Sequence, residues 1–122
     1  MAKAKQNKQR EQRIQQEIVV DAYNAEEQAM GWYYYLEEHL RFPFRAKCVA
    51  LRAISPLRKG QEVEVVGLAP ADECESEMFM TVPWEKRTLA VPLAQLEPIQ
   101  ANNATRQAVD DWHYWVNQGY EF

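Results

Sequence analysis

The chain has 122 residues, of which 47% are hydrophobic and 26% are charged, and its formal net charge is −4. This length is enough for one domain whose core needs neither disulfides nor metal ions to hold it together. No apolar run approaches the ~20 residues that cross a bilayer, and the first residues lack the apolar stretch of a signal peptide. We therefore expect a soluble, cytoplasmic protein with no membrane partner.

The charge is distributed unevenly along the chain. Residues 1–17 carry five basic and two acidic side chains, a net charge of +3, whereas residues 18–122 carry nine basic and sixteen acidic ones, a net charge of −7. An acidic body repels a phosphate backbone, which argues against nucleic acid as a partner and in favour of cations.

Residues 1–20 are expected to form a basic polar tail that is either flexible or a frayed helix. Its first seventeen residues are rich in Lys and Gln, and Ile14 is their only large aliphatic residue apart from Met1. Such a segment cannot bury a face of its own. We expect residues 21–122 to form a single domain of calcium-binding type, for the reasons given below.

The predicted elements of this domain follow one another as a helix, four or five short strands and a second helix. Asn24 followed by Glu27 is a variant of the capping box and predicts the start of the first helix, which ends near Leu40, ahead of Pro43. Alternating apolar residues predict the strands within residues 44–51, 62–69, 76–84, 88–91 and 96–99. Pro83 indicates a sheet edge or a bulge at the end of its strand.

The second helix is indicated by apolar residues from Ala104 to Val116 at helical spacing, with Asn103 or Thr105 as its cap and Gly119 as a left-handed C-cap. Short strands at close spacing, with a single turn before the last, favour a closed barrel that leaves no exposed edge. We therefore predict an α+β fold, with a small Src-homology-3-like β-barrel of four to five antiparallel strands flanked by an N-terminal and a C-terminal helix.

The usual signatures of zinc sites and enzymes are missing from the sequence. The two cysteines and two histidines, Cys48, Cys74, His39 and His113, do not have the spacing of a local zinc motif. We expect Cys48 to be a core residue and the acidic neighbours of Cys74 to raise the pKa of its thiol. Neither a catalytic Ser/His/Asp or Cys/His pattern nor a glycine-rich phosphate loop is recognisable, so we predict that the protein is not an enzyme.

Carboxylates form the strongest candidate site. Asp72, Glu73, Glu75 and Glu77 fall within six residues between two predicted strands, and an extended backbone would point the three glutamates to one side. Calcium suits such a cluster, since it accepts about six to eight oxygen ligands in irregular geometry. The spacing is not that of an EF-hand, because the sixth position counted from Asp72 is not glycine.

Two further acidic pairs could add ligands from the predicted helices, Glu37 with Glu38 and Asp110 with Asp111. The alternative for every one of these groups is a solvated acidic surface. The complete set of candidate metal ligands is Asp72, Glu73, Glu77, Glu75, Glu37, Glu38, Asp110 and Asp111.

Aromatic side chains cluster in both predicted helices, in the runs WYYY at 32–35 and WHYW at 112–115. At helical spacing they are expected to form the core between the helices and the barrel. The alternative function is a protein-interaction module that docks a partner on an uncovered aromatic surface, with the basic tail as a second contact and without metal.

Four segments together resemble a family of small calcium-binding proteins first described in cyanobacteria. They are WYYYLEEHLRFPFRAKC, SPLRKGQEVEVVGLAP, EMFMTVPWEKRTLAVPLAQLEPI and DDWHYWVNQGY, in order over about residues 30–120. The resemblance implies a small, acidic, cytosolic protein that binds calcium reversibly through surface carboxylates, without EF-hands. It also implies a role as a calcium buffer or sensor rather than catalysis.

Overall fold

In the part of the chain that the structure describes, helices precede and follow a set of six strands. The computed structural model describes residues 7–120 and residue 122. The helices are α1 (Lys8–Arg13), which continues as a π-helical turn (Ile14–Ile18), α2 (Ala25–His39) and α3 (Asn103–Asn117). The strands are β1 (Phe44–Cys48), β2 (Glu62–Val65), β3 (Gly67–Leu68), β4 (Phe79–Trp84), β5 (Arg87–Pro92) and β6 (Leu96–Gln100). Short 3-10 helices span Ala71–Glu73 and Leu93–Gln95.

The strands form two antiparallel sheets of three, in the orders β2-β1-β6 and β3-β4-β5. β2 leads into β3 through Val66, whose N–H donates to the carbonyl of Thr81 at 2.9 Å. The α+β class is confirmed, but the described strands form no closed barrel, so that prediction is not confirmed. β3 has only two residues, and its pairing with β4 ends before Pro83, whose missing N–H could not extend the ladder.

The predicted alternation is confirmed in β1 and β2, whereas β5 does not alternate. Exposed and buried residues alternate along β1 and β2, so that Phe44, Ala46, Val63 and Val65 face the core. Most residues of the aromatic runs also pack inside as expected, and Trp32 lies edge-on to Trp112 with a centroid distance of 5.0 Å, but Tyr34 is 60% exposed. The core therefore lies between the sheets and the α2–α3 pair.

Local capping fixes the helix ends. The side chain of Asn24 accepts the N–H of Glu27 at 2.8 Å, as predicted for the start of α2. α3 is capped by Asn102, which accepts the N–H of Thr105 at 2.8 Å, instead of by Asn103 or Thr105. Gly119 has a φ of 84°, which is the left-handed conformation expected after α3. No described helix is long and apolar enough to cross a membrane.

The segment expected to be a tail differs from that expectation in the part that the structure describes. Ile14 and Ile18 are 1% and 3% exposed and belong to the same core as the sheets. The backbone of Ile18 approaches α2 at Gly31, where a Cβ would lie 2.3 Å from the Ile18 carbonyl oxygen. The two isoleucines cannot make a core alone, but they complete one that the rest of the chain provides. Residues 1–6 of the expected tail lie outside the described residues.

Candidate calcium site

A groove lies between the N-terminal half of α2 and the loop that follows β3. Its volume is about 530 Å³, and carboxylates from both sides line it: Glu26 of α2, and Asp72 and Glu75 of the loop. We call it the acidic groove. The 3-10 helix at Ala71–Glu73 curls the backbone, so the extended arrangement expected to point Glu73, Glu75 and Glu77 to one side does not form.

One contact holds the loop beside α2, and a second ties it to the start of β4. The Tyr33 hydroxyl donates to the Ala69 carbonyl at 2.8 Å, and the N–H of Phe79 donates to the Cys74 sulfur at 3.4 Å. Burial raises the pKa of the Tyr33 hydroxyl, and the nearby Cys74, Glu37 and Asp72 raise it further.

Cys74 is buried beneath the acidic groove. Its pKa is raised, as expected, but the largest cause is burial, and the charges of Glu73 and Asp72 add less. The N–H of Phe79 acts in the opposite direction. A buried, protonated thiol is a poor ligand, which leaves the carboxylates as the donors in this groove.

Glu77, one of the candidate ligands predicted from the sequence, is already paired with an arginine. Its two oxygens accept from Arg52 Nη1 at 3.0 Å and Nη2 at 2.5 Å. This forked ion pair raises the pKa of Arg52. A cation would have to compete with the guanidinium of Arg52 for the oxygens of Glu77. In addition, Glu77 does not line the acidic groove.

Asp111 is completely buried and serves a different purpose. It accepts from Arg13 Nη2 at 2.6 Å, lies 3.1 Å from Arg10 Nε, and accepts the Tyr35 hydroxyl at 2.9 Å. These contacts tie α1 to α2 and α3. Its neighbour Asp110 is exposed, and only its backbone carbonyl contacts Arg10, at 3.4 Å from Nη1.

The contact between Tyr35 and Asp111 also makes the free energy of unfolding depend on pH in the alkaline range. Burial and the Asp111 charge raise the pKa of Tyr35 from its ordinary value of 10.0 to about 12. The folded state therefore retains a proton that the unfolded chain loses, so this contribution is complete below pH 10 and is lost as the pH rises through 12. Thermal melts across this interval should show a steeper loss for the natural chain than for Tyr35→Phe, with Tyr34→Phe as control. Equal slopes in the natural chain and Tyr35→Phe would contradict the assignment.

The remaining candidates are Glu37, Glu38 and Glu73, and all three are exposed. Within residues 7–120 and 122, no three His, Cys, Asp or Glu side chains are already arranged to hold a metal ion. Instead, the acidic groove brings together Asp72 and Glu75, which the sequence predicted, and Glu26, which it did not. Glu26 lies in the first turn of α2, where an acidic residue is explained by the helix dipole alone.

Comparison with known proteins identifies the kind of protein to which this groove belongs. The sequence model of a family described as calcium binding, Calci_bind_CcbP, matches residues 12–116. The chain belongs to this family. The match begins inside the N-terminal helical segment, so the CcbP-type domain includes part of the segment expected to be a tail.

Two solved structures resemble the whole chain. The crystal structure of Anabaena CcbP is 40% identical, with a TM-score of 0.86 and 100% of both chains covered. A calcium-binding protein in its calcium-binding form is 39% identical, again with a TM-score of 0.86 and full coverage of both chains. Comparison with curated proteins gives no match. The resemblance to a cyanobacterial calcium-binding family is thereby confirmed.

The donor set of the acidic groove fits the ion of the CcbP-type family. Carboxylate oxygens are the ligands that calcium prefers, and its coordination tolerates irregular geometry. Glu26, Asp72 and Glu75 could each supply one or two oxygens, and water could complete the shell. The groove thus offers the kind of ligand that calcium prefers. Among the described residues its three carboxylates are not grouped around a single point.

Proposed function

We propose that the protein binds calcium in the acidic groove and acts as a cytosolic calcium buffer or sensor, without an EF-hand and without catalysis. The observation that carries this proposal is the groove itself, which is lined by carboxylates from α2 and from the loop. The chain that forms it belongs to a calcium-binding family. The relatives named above support calcium as the ion.

The proposed ligands are Glu26, Asp72 and Glu75, with Glu37 and Glu73 close enough to strengthen the negative potential. This set differs from the one favoured by sequence alone, because Glu77 and Asp111 are occupied by arginines. Glu38 and Asp110 are exposed and do not line the groove, so we assign them no ligand role.

Calcium would act by relieving repulsion between carboxylates that the fold holds near one another. A ligand that binds only the folded state stabilises it by RT ln(1 + [Ca]/Kd), which is about 2.7 kcal/mol at a hundredfold excess over Kd. Since the loop carries two of the ligands and α2 the third, binding should draw the loop onto the helix. A buffer needs only this uptake of the ion, whereas a sensor also needs the loop movement to be recognised.

Calorimetric titration with calcium and then with magnesium tests the proposal. We expect saturable calcium binding, weaker magnesium binding and a melting temperature that rises with calcium concentration. Magnesium should bind less well because it requires a strict octahedron and keeps its water. Absence of both calcium-dependent heat and a rise in melting temperature would refute the proposal.

The alternative of a metal-free interaction module that uses the aromatic runs and the basic tail is less well supported. Trp32, Trp112 and Trp115 are buried in the core, so they offer no docking surface. Arg10 and Arg13 of the basic segment are engaged by Asp111 inside the molecule. Within the two aromatic runs Tyr34 is the one exposed residue, so an interaction surface that includes it must be formed mainly by residues outside the runs.

A further inference from the structure

A second groove lies beside the first half of α2, where the turn after Ile18 packs against this helix. Its volume is about 360 Å³. Large apolar side chains that line it remain open to solvent, since Val20 is 51% and Tyr34 is 60% exposed. Tyr23, on the same turn, is 84% exposed. Leu51 and Ile54 are equally open to solvent elsewhere, but Val20 and Tyr34 line one groove together, which sets this surface apart. We call it the turn groove.

The turn groove is a formed feature. Asp21 has a φ of 59°, in the left-handed region that Asp tolerates better than most residues. The N–H of Ala22 donates to the Val19 carbonyl at 3.1 Å and closes the turn. On the inner side, Ile18 and Val19 are buried against α2 at Gly31, which fixes the position of the turn. A docking segment would therefore meet a surface that is already shaped.

The charge of the turn groove selects the kind of segment. Asp21, Glu26 and Glu27 line it with carboxylates, and no lysine or arginine of the described residues lines it. A segment that fits must therefore carry positive charge as well as apolar side chains. An anionic membrane surface or a nucleic acid would be repelled, and so would the acidic body of a second copy.

We propose that the turn groove docks a cationic amphipathic segment of a partner protein. Its apolar side chains would cover Val20, Met30 and Tyr34. Its lysines or arginines would pair with the carboxylates at the rim, which favours encounter and orients the segment. The turn groove shares Glu26 and Met30 with the acidic groove, whereas Val20, Asp21 and Tyr34 line the turn groove alone, so variants at these three positions separate docking from calcium uptake.

The test is a fluorescence anisotropy titration of a labelled helical peptide built from leucine and lysine, in EDTA so that calcium plays no part. A matched peptide with glutamate in place of lysine serves as control. We expect the lysine peptide to bind saturably and the glutamate peptide not to bind. Tyr34→Ala and the double variant Asp21→Asn/Glu27→Gln should each weaken the binding about tenfold, as the loss of a central contact does.

A control double variant, Glu64→Gln/Glu97→Gln, separates a specific groove from general attraction to an acidic protein. It removes the same charge from exposed positions of the sheet and should leave the affinity unchanged. Equal weakening by both double variants, or binding that Tyr34→Ala leaves unaltered, would overturn the proposal. So would a natural chain that dimerises and that Tyr34→Ala makes monomeric, since the surface would then belong to a second copy.

Discussion

Asp111→Asn is expected to lower the free energy of unfolding by about 3 kcal/mol, because it leaves two arginines without the carboxylate that neutralises them. Asp111 is fully buried, whereas the side chains of Arg10 and Arg13 are 28% and 23% exposed. The arginines can therefore regain some water, which limits the cost. The amide can still accept the Tyr35 hydroxyl, so the effect isolates the lost charge.

Denaturant unfolding followed by circular dichroism measures this effect, and the melting temperature should fall by about 10 °C. Asp110→Asn is the matched control, since it removes the same charge from the exposed neighbour on α3 and should change stability by less than about 0.5 kcal/mol. Below the unfolding transition, Asp111→Asn should still bind calcium. Loss of calcium binding in the folded variant would show that Asp111 is a ligand after all.

The triple variant Glu26→Gln/Asp72→Asn/Glu75→Gln is expected to abolish calcium binding while the fold is retained. All three side chains are exposed around the acidic groove, so their amides are readily solvated. Each carboxylate lost should weaken calcium about tenfold or more, since affinity depends on the number of charged ligands. Relief of their mutual repulsion should leave the calcium-free variant at least as stable as the natural chain.

Calorimetry and calcium-dependent melting measure this outcome. The variant Glu17→Gln/Glu64→Gln/Glu97→Gln changes the net charge equally at exposed positions outside the acidic groove and should bind calcium like the natural chain. If the triple variant of the acidic groove kept a calcium affinity close to that of the natural chain, the calcium site would have to lie elsewhere. A similar loss in both triple variants would indicate diffuse attraction of the ion.

Features that depend on neighbouring residues could be predicted from the sequence. The cap at Asn24, the left-handed Gly119 and the alternation of β1 each follow from a few consecutive side chains. The pairing of the strands into two sheets could not, because registry between distant segments leaves no local pattern. Without the registry between distant segments, a closed barrel was predicted where the strands form two sheets.

The candidate site shows the same division. The carboxylates of the loop are conspicuous in the sequence, yet their partners come from afar: Arg52 reaches Glu77 across 25 residues, and Arg13 reaches Asp111 across 98. Only the fold shows which acids are neutralised and which remain available. Glu26 joins the groove because α2 crosses the loop, and no spacing in the sequence predicts that approach.

The contacts of α1 carry a consequence for synthesis of the protein. Its partners Asp111, Tyr114 and Tyr120 lie 98 to 109 residues further along the chain. At about 5–20 residues per second, a ribosome needs about 5–20 s to produce them after α1 has been made. During this time α1 lacks its contacts with α3 and with Tyr120. The abundance of Lys and Gln around Ile14 and Ile18 then keeps the nascent segment hydrated until the last helix arrives.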